Sequence, residues 1–212
     1  NGDPLQASYR VDFEFAGFGF NVPTTVTADA PLDPRLEAIL GADGERTFDD
    51  SFAYCVDEDG LLEFGVDVPS NLYIVGDDAM NTGNAAIADA VDQEENLDIV
   101  TWLLNQAYQG LDAGTLDDGD LGTPGSTGTN YSFTEVQDAI WFFTDGEAFD
   151  ASTASGANTQ EIDDLATTAG EGFVAGEGDL VAVLFDPLEE DRQTYIVGVE
   201  YEALEEECNC IL

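Results

Sequence analysis

The chain has no Lys, no His and only four Arg among its 212 residues, against 46 Asp and Glu. Nucleic acid is excluded as a partner, because contacts to phosphate depend on Lys and Arg. Without His, the Cys–His pairing that activates most cysteine nucleophiles is missing. The composition therefore disfavours a cysteine hydrolase as well as a nucleic-acid-binding protein.

Long apolar runs are also absent. No stretch approaches the ~20 apolar residues that a membrane-spanning helix needs, and no signal peptide is present. Direct membrane insertion is therefore not expected. The chain begins at Asn1 instead of Met, which fits a processed secreted protein or a shortened chain.

The acidic excess gives a formal net charge of -42, although the apolar content of 43% is normal for a folded protein. Such a charge on a chain of 22.6 kDa repels itself strongly at ordinary ionic strength. At molar salt the screening length falls to about 3 Å, and most of that repulsion disappears. The composition therefore predicts a halophilic protein; a surface that binds cations or repels nucleic acid is the alternative.

The three cysteines are an odd number. Cys208 and Cys210 form a C-x-C motif, and on a strand their Cα atoms would lie about 6.6 Å apart, at the outer limit of disulfide geometry. An inter-chain disulfide, or one to a segment further downstream, would be less strained. Cys55 is then left over, and a lone Cys on an apolar strand is usually an inert apolar residue.

Residues 131–146, YSFTEVQDAIWFFTDG, carry the signals of a complete helix. Ser132 and Glu135 have the spacing of a capping box, and Tyr131 has the position of a hydrophobic staple. Gly146 is expected to end the helix in the left-handed conformation. Four apolar residues recur at helical spacing: Phe133, Val136, Ile140 and Phe143.

Gln137 lies inside this apolar helix, with Trp141 one turn further along the same face. Burying a primary amide without a partner costs about 1–3 kcal/mol. Gln137 is therefore expected to have either a hydrogen-bond partner or a chemical one. A satisfied core amide on a helix packed over a sheet is the simpler alternative.

Two short segments together resemble the thioester domains of bacterial surface adhesins and pilus-tip proteins. Residues 52–57, FAYCVD, match the family's Cys strand, and residues 136–141, VQDAIW, match its Gln helix. The resemblance covers residues 51–146 and fades outside them. It implies an internal thioester between the sulfur of Cys55 and the side-chain carbonyl carbon of Gln137.

The resemblance also implies what such a bond does. An incoming amine attacks the thioester, so the domain captures an amine-bearing protein or surface ligand covalently, at the surface of a halophile. Bond formation is autocatalytic and single-use, so the domain is not an enzyme in the sense of turnover, and it needs no cofactor or metal. The alternative is a subunit of an extracellular filament, pilus or surface layer, in which the thioester is a staple or a cross-link to neighbouring copies.

Two further groups of residues are assigned by their proximity to these segments. Because the chain has no His, a carboxylate is expected to take the thiol proton, and the candidates are Asp57, Glu135 and Asp138. Aromatic side chains are expected to keep water from the thioester, and the candidates are Tyr54, Trp141 and Phe142.

The order of elements is strands, then helices, then strands, which predicts a single α+β domain over residues 1–212. We expect an antiparallel β-sandwich or barrel, with a β part at about 1–80 and 178–206, an inserted helical part at about 85–170 that carries Gln137, and a C-x-C tail at 205–212. Strands are predicted at 7–22, 24–28, 47–56, 61–75 with a break at 69–71, 180–185 and 194–201. Helices are predicted at 92–110, 131–146 and 160–168. A Gly- and Asp-rich loop at about 111–130 contains DDGD, a poor match to a calcium site.

Overall fold

The structure, a computed structural model, describes a little over half of the chain in defined segments. These are residues 5–11, 14–16, 19–21, 24–28, 37, 39–48, 53–57, 60–61, 63–75, 91–110, 133–146, 148, 152–189 and 191–200. Cys208 and Cys210, the 111–130 loop, and the predicted cap residues Tyr131 and Ser132 lie outside these residues.

Nine strands are present in the described part of the chain. They are β1 Leu5–Val11, β2 Glu14–Ala16, β3 Gly19–Asn21, β4 Thr24–Ala28, β5 Glu45–Phe48, β6 Ala53–Cys55, β7 Val68–Ile74, β8 Leu180–Pro187 and β9 Tyr195–Glu200. Seven of them form one antiparallel sheet in the order β5-β4-β1-β7-β8-β9-β6, which curls into a half-barrel. Strands β2 and β3 pair only with each other, as a small hairpin.

The residues described between β7 and β8 form three helices: α1 Leu97–Gly110, α2 Phe133–Thr144 and α3 Ala154–Gly170. A short 3-10 turn, Glu94–Asn96, precedes α1. The predicted α+β class, with a helical part inserted between β elements, is confirmed. In place of two stacked sheets, a single curled sheet carries the helices.

The sheet has a hydrophobic core on each face. The helix-side core contains Val100, Leu103 and Ile140 from the helices, packed against strand residues such as Tyr54 and Leu184. The second core lies on the opposite face, and Tyr9, Val26, Leu72, Phe185 and Tyr195 belong to it. Because successive residues of a strand point to opposite faces, Tyr54 and Val56 enter the helix-side core, whereas the side chain of Cys55 packs against the second.

The single strand predicted at residues 7–22 is wrong. Strand β1 ends at Val11, and β2 and β3 form a separate hairpin in which Ala16 pairs with Gly19. Only two residues separate this pair, which is the length of a tight hairpin loop. The chain therefore reverses direction between β2 and β3, where one continuous strand was predicted.

The strand predicted at residues 47–56 is also wrong as one element. Strand β5 pairs with β4, with Thr47 opposite Thr25, whereas β6 pairs with β9, with Cys55 opposite Tyr195. The two segments are close in sequence, but they form the two opposite edges of the seven-stranded sheet.

Residues 69–71 do not break a strand, contrary to expectation. Strand β7 runs through them, with Pro69 opposite Ser8 of β1. The carbonyl of Pro69 accepts a hydrogen bond from the N–H of Leu188 at 2.9 Å, just after β8 ends. The missing N–H of Pro69 therefore faces a point where the ladder stops, which is a position that tolerates proline.

The predicted end of α2 is confirmed, whereas the predicted start of α1 is wrong. Gly146 adopts φ +76° and donates to the carbonyl of Trp141, which confirms the left-handed cap of α2. The helix predicted from residue 92 starts later, because Gln93 precedes a 3-10 turn without a side-chain cap and α1 begins at Leu97. Helix α3 is longer than predicted, because Thr153 caps its start by accepting a hydrogen bond from the N–H of Gly156.

Candidate functional site around Cys55 and Gln137

Strand β6 leaves one side of Cys55 unpaired by the sheet. Cys55 lies opposite Tyr195 of β9, and the N–H of the next residue, Val56, donates to the carbonyl of Thr194 at 2.9 Å. Main-chain groups alternate in direction along an antiparallel strand, so the N–H and C=O of Cys55 point away from the sheet. At an edge strand these groups need a partner from another element.

Gln137 of α2 supplies both partners. The N–H of Cys55 donates to Oε1 of Gln137 at 2.9 Å, and Nε2 of Gln137 donates to the carbonyl of Cys55 at 2.7 Å. The Gln137 side chain is 5% exposed, and both halves of its amide are hydrogen-bonded. The two residues are 82 positions apart, so the fold brings together the Cys and the Gln that the sequence singled out.

Helix α2 is held on β6 at a second point, two turns after Gln137. The hydroxyl oxygen of Thr144, which is fully buried, lies 2.7 Å from the carbonyl oxygen of Val56 and 2.9 Å from that of Ile140. The C-terminal carbonyls of α2 are satisfied by the segment before α1: the N–H of Gln93 donates to Thr144, and Nδ2 of Asn96 donates to Phe143. The helix that carries Gln137 is therefore fixed along its length.

A similar amide contact elsewhere in the chain shows what the geometry alone means. Asn105 of α1 donates from Nδ2 to the carbonyl of Leu180 at 2.9 Å and accepts from the N–H of Leu180 at 2.7 Å. This pair joins a helix to the first residue of β8 and contains no reactive group. The two-point contact is thus a way to dock a helix on a strand, and the thiol of Cys55 is what makes the other instance chemically distinct.

The thiol of Cys55 is partly buried on the side of the second core. The pKa of the thiol is raised to about 12: burial is the largest cause, a side-chain hydrogen bond with Tyr195 acts in the opposite direction, and the negative charge of Asp57 adds to the rise. The sulfur is therefore protonated at neutral pH, and a reaction through the thiolate needs either high pH or help from neighbouring groups.

The three candidate bases occupy different surroundings. Asp57, two residues after Cys55, is half-buried and acts on the thiol through its charge. Glu135 is buried on α2 and accepts a hydrogen bond from Nδ2 of Asn158 at 2.7 Å. Burial and the charge of Glu135 raise the pKa of Asp138, which is also on α2. Of the three, Asp57 has the clearest electrostatic link to the sulfur.

The three candidate shields do not share one environment either. Tyr54 is buried in the helix-side core, on the face opposite to the Cys55 side chain. Trp141 is half-buried, and its indole N–H has no hydrogen-bond partner among the described residues. Phe142 packs edge-to-face on Phe143, with ring centroids 5.3 Å apart.

Sequence reasoning missed the aromatic residues that lie beside the thiol. Tyr195 is the cross-strand neighbour of Cys55, and Tyr9 lies against the Tyr195 ring with centroids 5.4 Å apart. Nothing in the sequence pairs residue 55 with residue 195, because strand register between distant segments is a property of the folded sheet. The alternation of apolar residues around Tyr195 indicated only a strand.

In the described part of the chain, no group of three or more His, Cys, Asp or Glu side chains is arranged to hold a metal ion. Among the described helices, none combines the length and the hydropathy of a membrane span.

A solved structure superposes on nearly the whole of this chain. The N-terminal thioester domain of the fibronectin-binding protein SfbI from Streptococcus pyogenes superposes with a TM-score of 0.51 at 14% identity, over 93% of this chain and 94% of that one. The fold is that of a thioester domain. The resemblance inferred from the two short motifs is thus confirmed at the level of the fold, across nearly the full length of both chains.

Other structures of this type align less closely. The N-terminal domain of the Streptococcus pyogenes pilus tip adhesin Cpa has a TM-score of 0.49 at 12% identity, covering 94% of this chain and 95% of that one. The thioester domain of a protein F2 like fibronectin-binding protein from Streptococcus pneumoniae gives 0.49 at 13%, covering 94% and 100%. No protein-family model and no curated protein sequence matches the chain.

Proposed function

We propose that this chain is an extracellular adhesion domain that captures amine nucleophiles covalently through a thioester between Cys55 and Gln137. The observation that carries the proposal is the pair of hydrogen bonds, 2.9 and 2.7 Å long, that hold the Gln137 amide on the main chain of Cys55. The thioester-domain fold supports it, since the domain of SfbI that superposes on this chain belongs to a fibronectin-binding protein.

Bond formation requires the sulfur of Cys55 to attack Cδ of Gln137. The Sγ–Cδ bond forms and the Cδ–Nε2 bond breaks. The amide nitrogen takes up the thiol proton and leaves as ammonia. An amide is a poor electrophile, but holding the reacting groups in place can supply about 7–11 kcal/mol of the barrier. The two-point contact provides such positioning, because it fixes the amide against the residue that bears the nucleophile.

The N–H of Cys55 has a second role in this scheme. It lies 2.9 Å from Oε1 of Gln137, the oxygen on which negative charge develops when sulfur adds to Cδ. A donor at this distance stabilises an oxyanion, and losing one such donor typically slows a reaction by about 10²–10³-fold. The nucleophile and one oxyanion donor are therefore parts of the same residue.

Capture runs the exchange with a new amine. The amine nitrogen bonds to Cδ of Gln137, the Cδ–Sγ bond breaks, and a proton from the amine returns to the sulfur of Cys55. Each domain reacts once, since the product amide is stable. The proposed partner is an amine-bearing protein or surface ligand, in keeping with a location on the outside of the cell.

Cross-linking between copies is the weaker proposal. The 212 residues contain no Lys, so a second copy of this stretch offers no side-chain amine. A thioester that linked neighbouring copies would have to react with an α-amine or with chain outside this stretch. Capture of a different molecule fits the composition better.

The test is intact mass under denaturing conditions, on protein freshly purified in molar salt, with and without methylamine. We expect a mass lower than the encoded chain by one ammonia, and a methylamine adduct that peptide mapping locates at Gln137. Both signals should vanish in Cys55→Ala. Asn105 is the internal control, because it makes the same hydrogen bonds without a thiol and should remain unmodified.

An unmodified mass would contradict the proposed thioester. If fresh protein has the encoded mass and Cys55 is freely alkylated, covalent capture is wrong. Gln137 would then be a core amide that docks α2 on β6, as Asn105 docks α1 on β8.

A further inference from the structure

Tyr195 is the closest described neighbour of the Cys55 side chain across the sheet. The two residues are directly opposite each other in the β6–β9 pair, at a position where the main-chain hydrogen bonds point outward. Non-hydrogen-bonded pairs of this kind have Cα atoms about 4.5 Å apart and bring their side chains close together. Both side chains pack in the second core, so the Tyr195 ring lies beside the Cys55 sulfur, and a side-chain hydrogen bond between the two contributes to the pKa of each group.

The hydrogen bond has a defined direction. Burial, together with the neighbouring Cys55, raises the pKa of the Tyr195 phenol above its ordinary value. The phenol therefore carries its proton at neutral pH, where its O–H can donate to the sulfur. A donor of this kind stabilises the thiolate relative to the thiol.

Tyr195 is itself held in place from several sides. Its ring lies against Tyr9, with centroids 5.4 Å apart, and it is opposite Phe185 on the neighbouring strand β8. The hydroxyl of Tyr9 donates to the carbonyl of Gln193 at 2.5 Å, which fixes the Tyr9 ring beside the start of β9. Tyr195 is 3% exposed, so its rotamer is set by packing and not by solvent.

We propose that Tyr195 is a positioning residue for the Cys55 sulfur, which it holds with a hydrogen bond from its phenol O–H. This inference rests on the proposed thioester chemistry. The sulfur then lies between two constraints: Tyr195 acts on it from the second core, and the Gln137 amide is fixed at the outer edge of the same residue. The bond from Tyr195 acts on Sγ alone, whereas the N–H of Cys55 acts on Oε1 of Gln137.

The same donor serves both steps. During formation, Tyr195 stabilises the thiolate that attacks Cδ of Gln137. During capture, the Cδ–Sγ bond breaks and Tyr195 stabilises the departing thiolate until it takes a proton from the amine. The phenol keeps its own proton throughout, so the balance of each step is unchanged by its presence.

The hydrogen bond is tested first without the thioester. In a Gln137→Ala, Cys208→Ser, Cys210→Ser background, Cys55 is the only thiol and cannot form the bond. Tyr195→Phe should lower its alkylation rate by iodoacetamide at pH 9 by about threefold, because a smaller thiolate fraction is partly offset by greater intrinsic nucleophilicity. A purely structural role predicts the opposite sign, since a smaller side chain opens access to the sulfur.

The role in the reaction is tested next, with Gln137 intact. Tyr195→Phe should slow both ammonia loss and methylamine capture by about tenfold or more, the factor expected for one hydrogen bond to a charged group. Tyr73→Phe is the matched control, because it makes the same change at a buried residue of β7, on the opposite face of the sheet and away from Cys55. It should leave alkylation and capture rates unchanged.

The outcomes separate this inference from the proposed function. Unchanged or faster alkylation in Tyr195→Phe overturns the positioning role, even if the wild type forms its thioester. If the wild type never loses ammonia, the proposed function fails and the role of Tyr195 in it fails too. The alkylation rates then still show whether the phenol bonds the thiol.

Discussion

At the scale of single residues, Asp163 on α3 is the least satisfied buried group in the described part of the chain. It is 2% exposed, and neither carboxylate oxygen has a hydrogen-bond partner among the described residues. Burial and, to a smaller extent, the negative charge of Asp164 raise the pKa of its carboxyl to about 8. Asp163 is therefore largely protonated in the folded protein at neutral pH, whereas it is ionised in the unfolded chain.

This difference predicts how stability depends on pH. Between about pH 4 and pH 8 the folded state binds a proton at Asp163 that the unfolded state does not, so the free energy of unfolding falls as pH rises through this window. Asp163→Asn has no proton to lose and should be more stable than wild type at pH 9 by about 2–4 kcal/mol, less than the full shift implies because of solvent screening. Urea unfolding in 2 M KCl at pH 5, 7 and 9 measures it.

Asp164→Asn is the matched control for this prediction. Asp164 is exposed, and the change removes one charge from the same helix without filling the buried position. It should shift stability slightly and keep most of the wild-type dependence on pH, because burial is the larger cause of the raised pKa of Asp163. If Asp163→Asn follows the wild-type pH profile in parallel, Asp163 does not titrate in this window and the buried carboxyl has a partner in solution.

At the scale of elements, the docking of α2 on β6 decides whether Gln137 meets Cys55. Thr144 is the second anchor, since its hydroxyl lies 2.7 Å from the carbonyl oxygen of Val56. Thr144→Val keeps the shape of the side chain but leaves that carbonyl without its donor at a buried site. We expect a loss of about 1–3 kcal/mol in the free energy of unfolding, measured with urea in 2 M KCl.

Thr144→Ser separates the hydrogen bond from the packing. It keeps the hydroxyl and removes one methyl group, so its loss should be about 1 kcal/mol or less. Equal losses in the two variants would mean that the methyl group, and not the contact with Val56, anchors the end of α2.

The elements also show which features can be predicted from sequence. Helix α2 and its end at Gly146 are predictable, because apolar spacing and a glycine cap are local signals. Strands β5 and β6 are not, because their partners decide where they lie: Thr47 pairs with a strand just before it, whereas Cys55 pairs with Tyr195, 140 positions later. A run of strand-forming residues does not show that its two halves form opposite edges of the sheet.

The same reasoning applies to the site. Gln137 is identifiable because an amide is unusual inside an apolar helix, whereas Cys55 is identifiable only through the resemblance of its segment to the thioester domains, since a lone Cys on an apolar strand is usually inert. Tyr195 is an ordinary aromatic residue in a strand, and only the register gives it a role. The two-point contact itself could not be foreseen, because it depends on β6 being an edge strand.

At the scale of the whole molecule, charge is the dominant feature. The 46 Asp and Glu are opposed by only four Arg, which leaves a net charge of -42. Arg192 pairs with Glu63 and with Glu189, and Arg10 lies 3.6 Å from Asp67. Such pairs are few against 46 acidic residues, and exposed pairs stabilise a fold by only about 0–1 kcal/mol each. Most of the acidic charge must therefore be screened by solution ions.

This predicts a strong dependence of stability on salt. The screening length falls from about 10 Å at 0.1 M to about 3 Å at 1 M, so repulsion between surface carboxylates is largely removed over that range. The urea midpoint should rise steeply between 0.1 and 1 M KCl and flatten above it, while sucrose at matched osmolality should not reproduce the rise. A variant with Asp43, Asp164, Glu171 and Glu177, all exposed, changed to their amides should be more stable than wild type in 0.1 M KCl and nearly equal to it in 2 M. If that variant keeps the full salt response of the wild type, the effect of salt is not relief of surface repulsion, and the prediction of a halophilic protein loses its physical argument.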